Sequence, residues 1–105
     1  MKKSQCYRAC KGADNKVVFV LTDSLLEVVT DSEGNKYNIH FHRVGSEWAA
    51  TEEKSGMRCV PYTYRTRKRC YVEVMKCLDL YKRLLAQEQV VAMANALKEY
   101  KENLI

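Results

Sequence analysis

The period of the hydrophobic pattern changes once along the chain, near residue 66. Before that point, short apolar runs alternate with turn-forming residues, which is typical of β-strands. After it, apolar residues recur every three or four positions, which is typical of amphipathic helices. The pattern predicts an α+β fold in a single domain, 1–105, with a strand half at about 5–62 and a helical half at about 66–103.

The strand half predicts an antiparallel meander of four to five strands. The stretch QCYRAC, at 5–10, is interpreted as an edge strand that ends at a Gly12–Asn15 turn. The run VVFVL at 17–21 is apolar throughout, which predicts a strand buried on both faces. A break at 22–24 is expected to separate it from the next strand, LEVVT, at 26–30.

The next run, YNIHFHRV, has the alternation of a strand with two different faces. Its apolar face carries Tyr37, Ile39 and Phe41. His40 and His42 fall on the other face together with Asn38. Two histidines at this spacing on a strand point the same way, so the run is also a candidate metal site.

Two more strands complete the predicted sheet. Gly45-Ser46 predicts a tight hairpin turn into EWAAT, which carries Trp48, the one tryptophan of the chain. After a second turn, EEKSG, the run MRCVPY at 57–62 predicts a last strand. Because Pro61 has no N–H to donate, this strand is expected to lie at an edge or to end there.

The helical half predicts one long helix or two helices. Thr66 is a suitable N-cap. A first apolar stripe contains Cys70, Val74, Cys77, Tyr81 and Leu84, which predicts that both cysteines are buried. A second stripe contains Val90, Ala94, Leu97, Lys101 and Leu104. The stripes are out of phase at Glu88, which predicts a break near Gln87 if there are two helices.

Composition is that of a soluble globular protein, with 47% apolar and 30% charged residues. No apolar run has membrane-spanning length, so no membrane partner is expected. The five cysteines are odd in number and follow no visible secretion signal, which predicts free thiols. The expected location is therefore cytoplasmic, in a bacterium or in the host cytoplasm for a phage-encoded protein.

The net charge of +5 is concentrated in one place, because residues 61–71 (PYTYRTRKRCY) contain four cations and no acid. The basic cluster is defined here as Tyr62, Tyr64, Arg65, Arg67, Lys68 and Arg69. It lies where a helix is predicted to begin, and the positive end of a helix dipole disfavours cations. A docked phosphate would reverse that effect, because helix amides and guanidinium groups would bind it together.

The basic cluster also contains aromatic rings suited to stacking on bases. In the alternative interpretation, its cations are solvated or pair with Glu47, Glu52 or Glu53. The cations are accounted for if an anionic partner completes the site, either nucleic acid or an acidic protein surface.

Candidate chemistry beyond the cluster is sparse. His40 and His42 lack an obvious third and fourth ligand, and the other interpretation places both exposed on an outer sheet face. No Ser-His-Asp order, paired carboxylates or glycine-rich phosphate loop is present. The sequence therefore predicts no enzyme activity, no cofactor and no metal.

Residues 38–70 resemble small accessory proteins of phages and mobile elements in Gram-positive bacteria. The resemblance rests on a strand with Trp48, a Ser55-Gly56 turn, a further strand Met57–Val60, and a Thr66-Arg67-Lys68 entry into a helix. Anti-CRISPR inhibitors of host defence belong to this class, and the resemblance implies binding to nucleoprotein surfaces without catalysis. A sheet followed by a helix is also similar to the DNA-binding N-terminal domain of some integrases.

Three functional hypotheses follow from these observations. The leading one is a non-enzymatic protein that engages nucleic acid or a nucleoprotein complex through the basic cluster. The first alternative is a protein–protein module whose basic patch meets an acidic partner and whose C-terminal helix, through residues such as Val91 and Leu97, binds a partner or a second copy. The second alternative is a metal-binding protein built on His40 and His42.

Overall fold

The computed structural model describes residues 1–104 and has four strands followed by helices. The strands are β1 (Lys2–Lys11), β2 (Val17–Thr30), β3 (Lys36–Val44) and β4 (Glu47–Glu52). The α-helices are α1 (Arg67–Lys76), α2 (Tyr81–Leu85) and α3 (Glu88–Glu102), with a 3₁₀ helix at Leu78–Leu80. The sheet order is β1-β2-β3-β4 and every pair is antiparallel. The predicted α+β class and antiparallel meander are confirmed.

The hairpin turns follow from local chemistry. Gly45 has a φ of +62°, a conformation that favours glycine, and it returns the chain from β3 to β4 at the predicted position. Between β2 and β3, the Asp31 carboxylate accepts hydrogen bonds from the amides of Glu33 and Asn35, each at 2.9 Å. Such Asp-to-backbone bonds stabilise a turn without a partner from elsewhere in the fold.

The hydrophobic core lies on one face of the sheet, under α1. Ile39 and Phe41 are fully buried there, as the alternation of β3 predicted. From α1, Cys70 and Val74 are fully buried against them. Paired residues of neighbouring strands share a face, so Ala50, opposite Phe41 in β4, completes this layer.

The first apolar run does not behave as predicted. Residues 17–21 belong to the same strand as 26–30, with no break between them, and most of their side chains are exposed. The prediction of a separate strand buried on both faces is wrong. The reason is that β1 pairs with all of 17–26 and keeps the strand continuous, while α1 packs on β3 and β4 and does not reach this part of β2.

The predicted last strand at 57–62 is also absent as a strand. The chain from 57 to 64 runs beside β4 through two isolated bridges, Thr51 with Arg58 and Trp48 with Tyr64. Pro61 lies between the bridges and cannot donate a ladder hydrogen bond, so pairing there is interrupted. The sheet therefore has four strands and not five.

The helical half contains the predicted break and one more. Thr66 caps α1, because its hydroxyl accepts a hydrogen bond from the Arg69 amide at 3.1 Å. Gln87 precedes α3, as the phase change at that point predicted. The extra break is the 3₁₀ helix at Leu78–Leu80, and it divides the helical half into three α-helices.

This 3₁₀ helix also changes which side chains are buried. A 3₁₀ helix turns 120° per residue rather than 100°, so the apolar stripe loses its phase there. Cys70 is buried as predicted, but Cys77 is only half-buried and Leu84 is exposed. Leu78, which together with Tyr71 and Leu85 was expected to widen the stripe, is buried beside them.

All five cysteines are free. Burial raises the pKa of the Cys70 thiol to about 11, so little of the reactive thiolate forms at neutral pH. In α3, Leu97 is buried whereas Val91 is exposed. Leu104, just beyond the end of α3, is exposed as well. Within residues 1–104, none of the helices combines the length and the hydropathy that a membrane crossing requires.

Candidate nucleic-acid interface

The N-terminus of α1 brings the predicted cations together on the surface. Its first turn contains no acidic residue. All four cations of the basic cluster are exposed: Arg65, Arg67, Lys68 and Arg69. The Thr66 cap fixes where the helix begins, and therefore fixes the positions of these side chains relative to the sheet.

Most of these cations have no acidic partner in the described part of the chain. Arg69 pairs with Glu73 one turn along α1, at 3.0 Å between Nη2 and Oε1. Among residues 1–104, Arg65, Arg67 and Lys68 form no ion pair. The Arg69 side chain is 64% exposed, and an ion pair with an exposed partner contributes little stability and can exchange for another anion.

The acids that were expected to neutralise the cluster are bound elsewhere. Glu47 accepts a hydrogen bond from the Thr63 hydroxyl. Glu52 accepts hydrogen bonds from two main-chain amides in the turn after β4. Glu53 accepts hydrogen bonds from Asn38 and His40. Pairing of the cluster with these three acids is therefore not what the structure shows.

Two arginines lie close to the Trp48 ring. The guanidinium carbon of Arg43 is 4.6 Å from the centroid of the Trp48 ring, and that of Arg67 is 6.0 Å away. Two hydrogen bonds between the main chains of Trp48 and Tyr64, at 2.7 and 2.8 Å, hold the main chain of Trp48 in place. Arginine on an aromatic face is favourable and still has in-plane N–H groups for an anion.

Arg43 is the residue that sequence reasoning missed. It lies directly opposite Trp48 in the β3–β4 register, on the same face as Phe41. The pairing of Arg43 with Trp48 could have been predicted from the alternation of β3 and the Gly45-Ser46 turn, because a two-residue hairpin places these residues side by side.

The two tyrosines of the cluster have different settings. Tyr62 is 70% exposed and its ring is available for stacking. Tyr64 is half-buried against the core, and burial raises the pKa of its hydroxyl. Because Tyr64 is packed against the core, the exposed aromatic rings beside the cations are those of Tyr62 and, in part, Trp48.

A cleft adjoins these residues where β2 and β3 separate. The two strands pair only as far as Leu25 and Phe41, and beyond that point a depression of about 770 Å³ opens. Lys3, Arg43 and Trp48 are among the residues that line it. The basic face is defined here as Lys3, Arg43, Trp48 and the four cations of the basic cluster.

Comparison with known proteins adds no relative to this picture. No protein-family model, curated protein or solved structure matches the chain.

The two candidate metal ligands are part of a buried hydrogen-bond network. His40 bonds to Ser24 through Nδ1 at 2.8 Å and to Glu53 through Nε2 at 3.0 Å. His42 bonds to Thr51 through Nε2 at 2.7 Å and to the carbonyl of Arg43 through Nδ1 at 3.3 Å. All four ring nitrogens are therefore occupied.

Burial of both rings contradicts the expectation that they lie exposed on an outer face. The sheet curls, and the Ala9 amide of β1 donates a hydrogen bond to the carbonyl of Gly56, in the turn after β4, at 2.8 Å. Among residues 1–104, no three metal-ligating side chains converge. The geometry therefore supports a structural role for His40 and His42 and gives the metal hypothesis no support.

Burial of His42 predicts that stability depends on pH. Desolvation lowers the pKa of His42 below its ordinary value of 6.5. The unfolded chain therefore binds more protons than the folded one below pH 6.5, so stability present above that pH is lost as the pH falls. We expect the free energy of unfolding, measured with urea at a series of pH values, to decline below pH 6.5. The decline should be shallower in His42→Gln, and an unchanged pH profile in that variant would contradict this assignment.

Proposed function

We propose that this protein is a non-enzymatic binding protein that engages nucleic acid, or a nucleoprotein complex, through its basic face. The observation that carries the proposal is that Arg43 and Arg67 both approach the Trp48 ring, next to cations that have no acidic partner within residues 1–104. Half or more of the hydrogen bonds that proteins make to DNA go to the phosphate and sugar backbone, and arginine suits phosphate because its fork binds two oxygens.

The position of the cations supports a polyanion rather than a solvated charge run. Cations in the first turn of α1 oppose the helix dipole, at a cost of a few tenths of a kcal/mol each or more at exposed positions. A phosphate at this point removes the cost, because it interacts favourably with the dipole and with the cations together. The basic face also reaches beyond the helix to Lys3 and Arg43, which gives it the length to contact several phosphates.

The aromatic residues support contact with unpaired bases as well. Base–aromatic stacking contributes about 1–3 kcal/mol per base and is tolerant of sequence. Tyr62 is the most exposed ring beside the cations, and Trp48 borders the cleft. Phosphates held by arginine next to an exposed ring are the arrangement that single-stranded nucleic acid requires.

The class of protein is also part of the proposal. The resemblance of residues 38–70 to accessory proteins of phages and mobile elements favours an inhibitor that binds a nucleoprotein complex of host defence, as anti-CRISPR proteins do. A cytoplasmic location, bacterial or in the host of a phage, fits this role and the five free thiols.

Direct titration tests the proposal. Fluorescence anisotropy of labelled single- and double-stranded oligonucleotides at low salt should show saturable binding that weakens as salt is added. A pull-down from a bacterial lysate, with and without nuclease, shows whether the captured partner is held through nucleic acid. Absence of oligonucleotide binding at low salt, combined with no nuclease-sensitive capture, would exclude the proposed function.

A second candidate function is a protein–protein module with an acidic partner. The observation that favours it is α3, where Leu97 is buried but Val91 is 44% exposed. An apolar anchor on α3 combined with the basic face would suit a partner with an acidic rim. Capture that survives nuclease treatment and is lost in Val91→Lys would favour this candidate over the first.

A further inference from the structure

Each outer edge of the sheet contacts another part of the chain, β4 along its length and β1 around Ala9. Along β4, the 57–64 segment provides main-chain partners, including a 2.9 Å hydrogen bond from the Cys59 amide to the Ala50 carbonyl. Along β1, the turn after β4 takes this role, since Ala9 donates to Gly56. Natural proteins cover edge strands in this way because unpaired edges associate with other chains.

One length of strand inside the sheet is left without such cover. β3 pairs with Leu25–Thr30 of β2, so residues 17–24 of β2 pair only with β1. The cleft beside Trp48 lies along this opening. On its second side, this part of β2 is therefore an open edge.

The hydrogen-bond register shows which main-chain groups face the opening. Ala9 directs its amide away from β2, towards Gly56, and Phe19 is the residue opposite Ala9. In an antiparallel ladder, both residues of such a pair direct their main-chain groups away from each other. Phe19 and, with a period of two, Leu21 and Asp23 therefore present main-chain groups to the opening. Within residues 1–104, these groups have no main-chain partner on that side.

The side chains of the open edge are apolar and exposed. Four of them are between 39% and 51% exposed: Val17, Val18, Val20 and Leu21. They lie on both faces of the strand, because neighbouring residues alternate. Residues 17–22 carry no charge in a chain of net charge +5. Exposed β-branched residues on an unpaired, uncharged edge form a template for strand addition.

We propose that a second copy of this chain adds to the open edge, with residues 17–23 of the two β2 strands pairing antiparallel about a two-fold axis. Antiparallel pairing of a strand with itself is self-complementary, because each copy offers the other the same donors and acceptors. Residues 17–22 carry no charge, so pairing there brings no like charges into contact between the two copies.

Packing behind the strand favours the same arrangement. The Tyr100 ring of α3 lies 5.3 Å from that of Phe19 and 5.6 Å from that of Tyr7. The hairpin of β1 and β2 is therefore held in an extended form before any partner binds, which lowers the entropy cost of pairing. The proposed dimer does not depend on the proposed nucleic-acid function.

The oligomeric state of the wild type and of two matched variants tests this proposal. Leu21→Lys places a charge in the middle of the open edge. Val28→Lys makes the same kind of change on the same strand, at a residue that is 53% exposed but lies where β2 is paired with β3. In sedimentation equilibrium from low to high micromolar protein, wild type and Val28→Lys should approach twice the monomer mass. Leu21→Lys should remain a monomer with an unchanged circular dichroism spectrum.

Hydrogen exchange adds a readout from the main chain. The amides of Phe19 and Leu21 should exchange quickly in dilute wild-type protein and become protected as its concentration rises, while they stay unprotected in Leu21→Lys. A monomer at every concentration would overturn the proposal. A dimer that Leu21→Lys does not dissociate, such as one formed through α3, would overturn it as well.

Discussion

Replacement of Arg67 and Lys68 together by alanine is expected to flatten the salt dependence of nucleic-acid binding by about two units in the slope of log K against log salt. Each phosphate that a cation neutralises releases condensed counterions, so a wild-type protein that engages four cations on duplex DNA should have a slope of about −3 to −4. Titration of labelled duplex at several salt concentrations measures both slopes.

A matched control for this change is available on α2. Lys82→Ala with Arg83→Ala removes the same charge from two exposed residues outside the basic face, where Lys82 contacts Glu33 at 3.3 Å. This control should retain the wild-type slope if the basic face is the binding site. Equal slopes for the wild type and for Arg67→Ala/Lys68→Ala would place the binding site elsewhere on the protein.

The stability of Arg67→Ala/Lys68→Ala shows whether weaker binding by this variant comes from lost contacts or from unfolding. Arg67 and Lys68 are exposed and form no ion pair within residues 1–104. Loss of two charges that oppose the helix dipole offsets loss of the Arg67 contact with the Trp48 ring, so the free energy of unfolding should stay within about 0.5 kcal/mol of the wild-type value. Urea denaturation of both proteins gives this comparison.

Gly56→Ala is expected to destabilise the fold by about 2–5 kcal/mol, the sum of a left-handed backbone cost and an overpacking cost. Gly56 has a φ of +69°, and a Cβ at this position would lie 2.7 Å from the Tyr7 carbonyl oxygen and 3.2 Å from the Ala9 nitrogen. Both neighbours are main-chain atoms of β1, so the substitution would force apart the contact that encloses His40 and His42.

Gly45→Ala is the matched control for Gly56→Ala. Its φ of +62° is similar, but no atom lies within 4 Å of the position of the added Cβ. It should therefore show only the backbone cost, about 1–2 kcal/mol. Equal losses in the two variants, measured by urea denaturation, would show that the close approach of Gly56 to β1 does not contribute to stability.

The elements of the fold could be predicted from the sequence because they depend on local patterns. The change of period near residue 66, the Gly45-Ser46 turn and the Thr66 cap each involve residues within a few positions of one another. The 3₁₀ helix at Leu78–Leu80 was not predictable in this way, since no glycine or proline marks it.

The candidate site was only partly predictable. The cations from Arg65 to Arg69 are close in sequence, so their presence on one helix turn followed from the capping signal at Thr66. Arg43 and Trp48 join them through the β3–β4 register and the docking of α1 on the sheet, which are contacts between distant parts of the chain.

Burial shows most clearly where sequence alone was insufficient. Residues 17–21 are apolar yet exposed, whereas the polar His40 and His42 are fully buried. The sequence by itself determined that both segments form strands, through their composition and alternation. Only the tertiary structure decided which strand faces are enclosed. Burial depends on what packs against a strand, here α1 on one face and the closure of β1 onto Gly56 on the other. The two histidines can be buried because their ring nitrogens form hydrogen bonds to Ser24, Glu53 and Thr51.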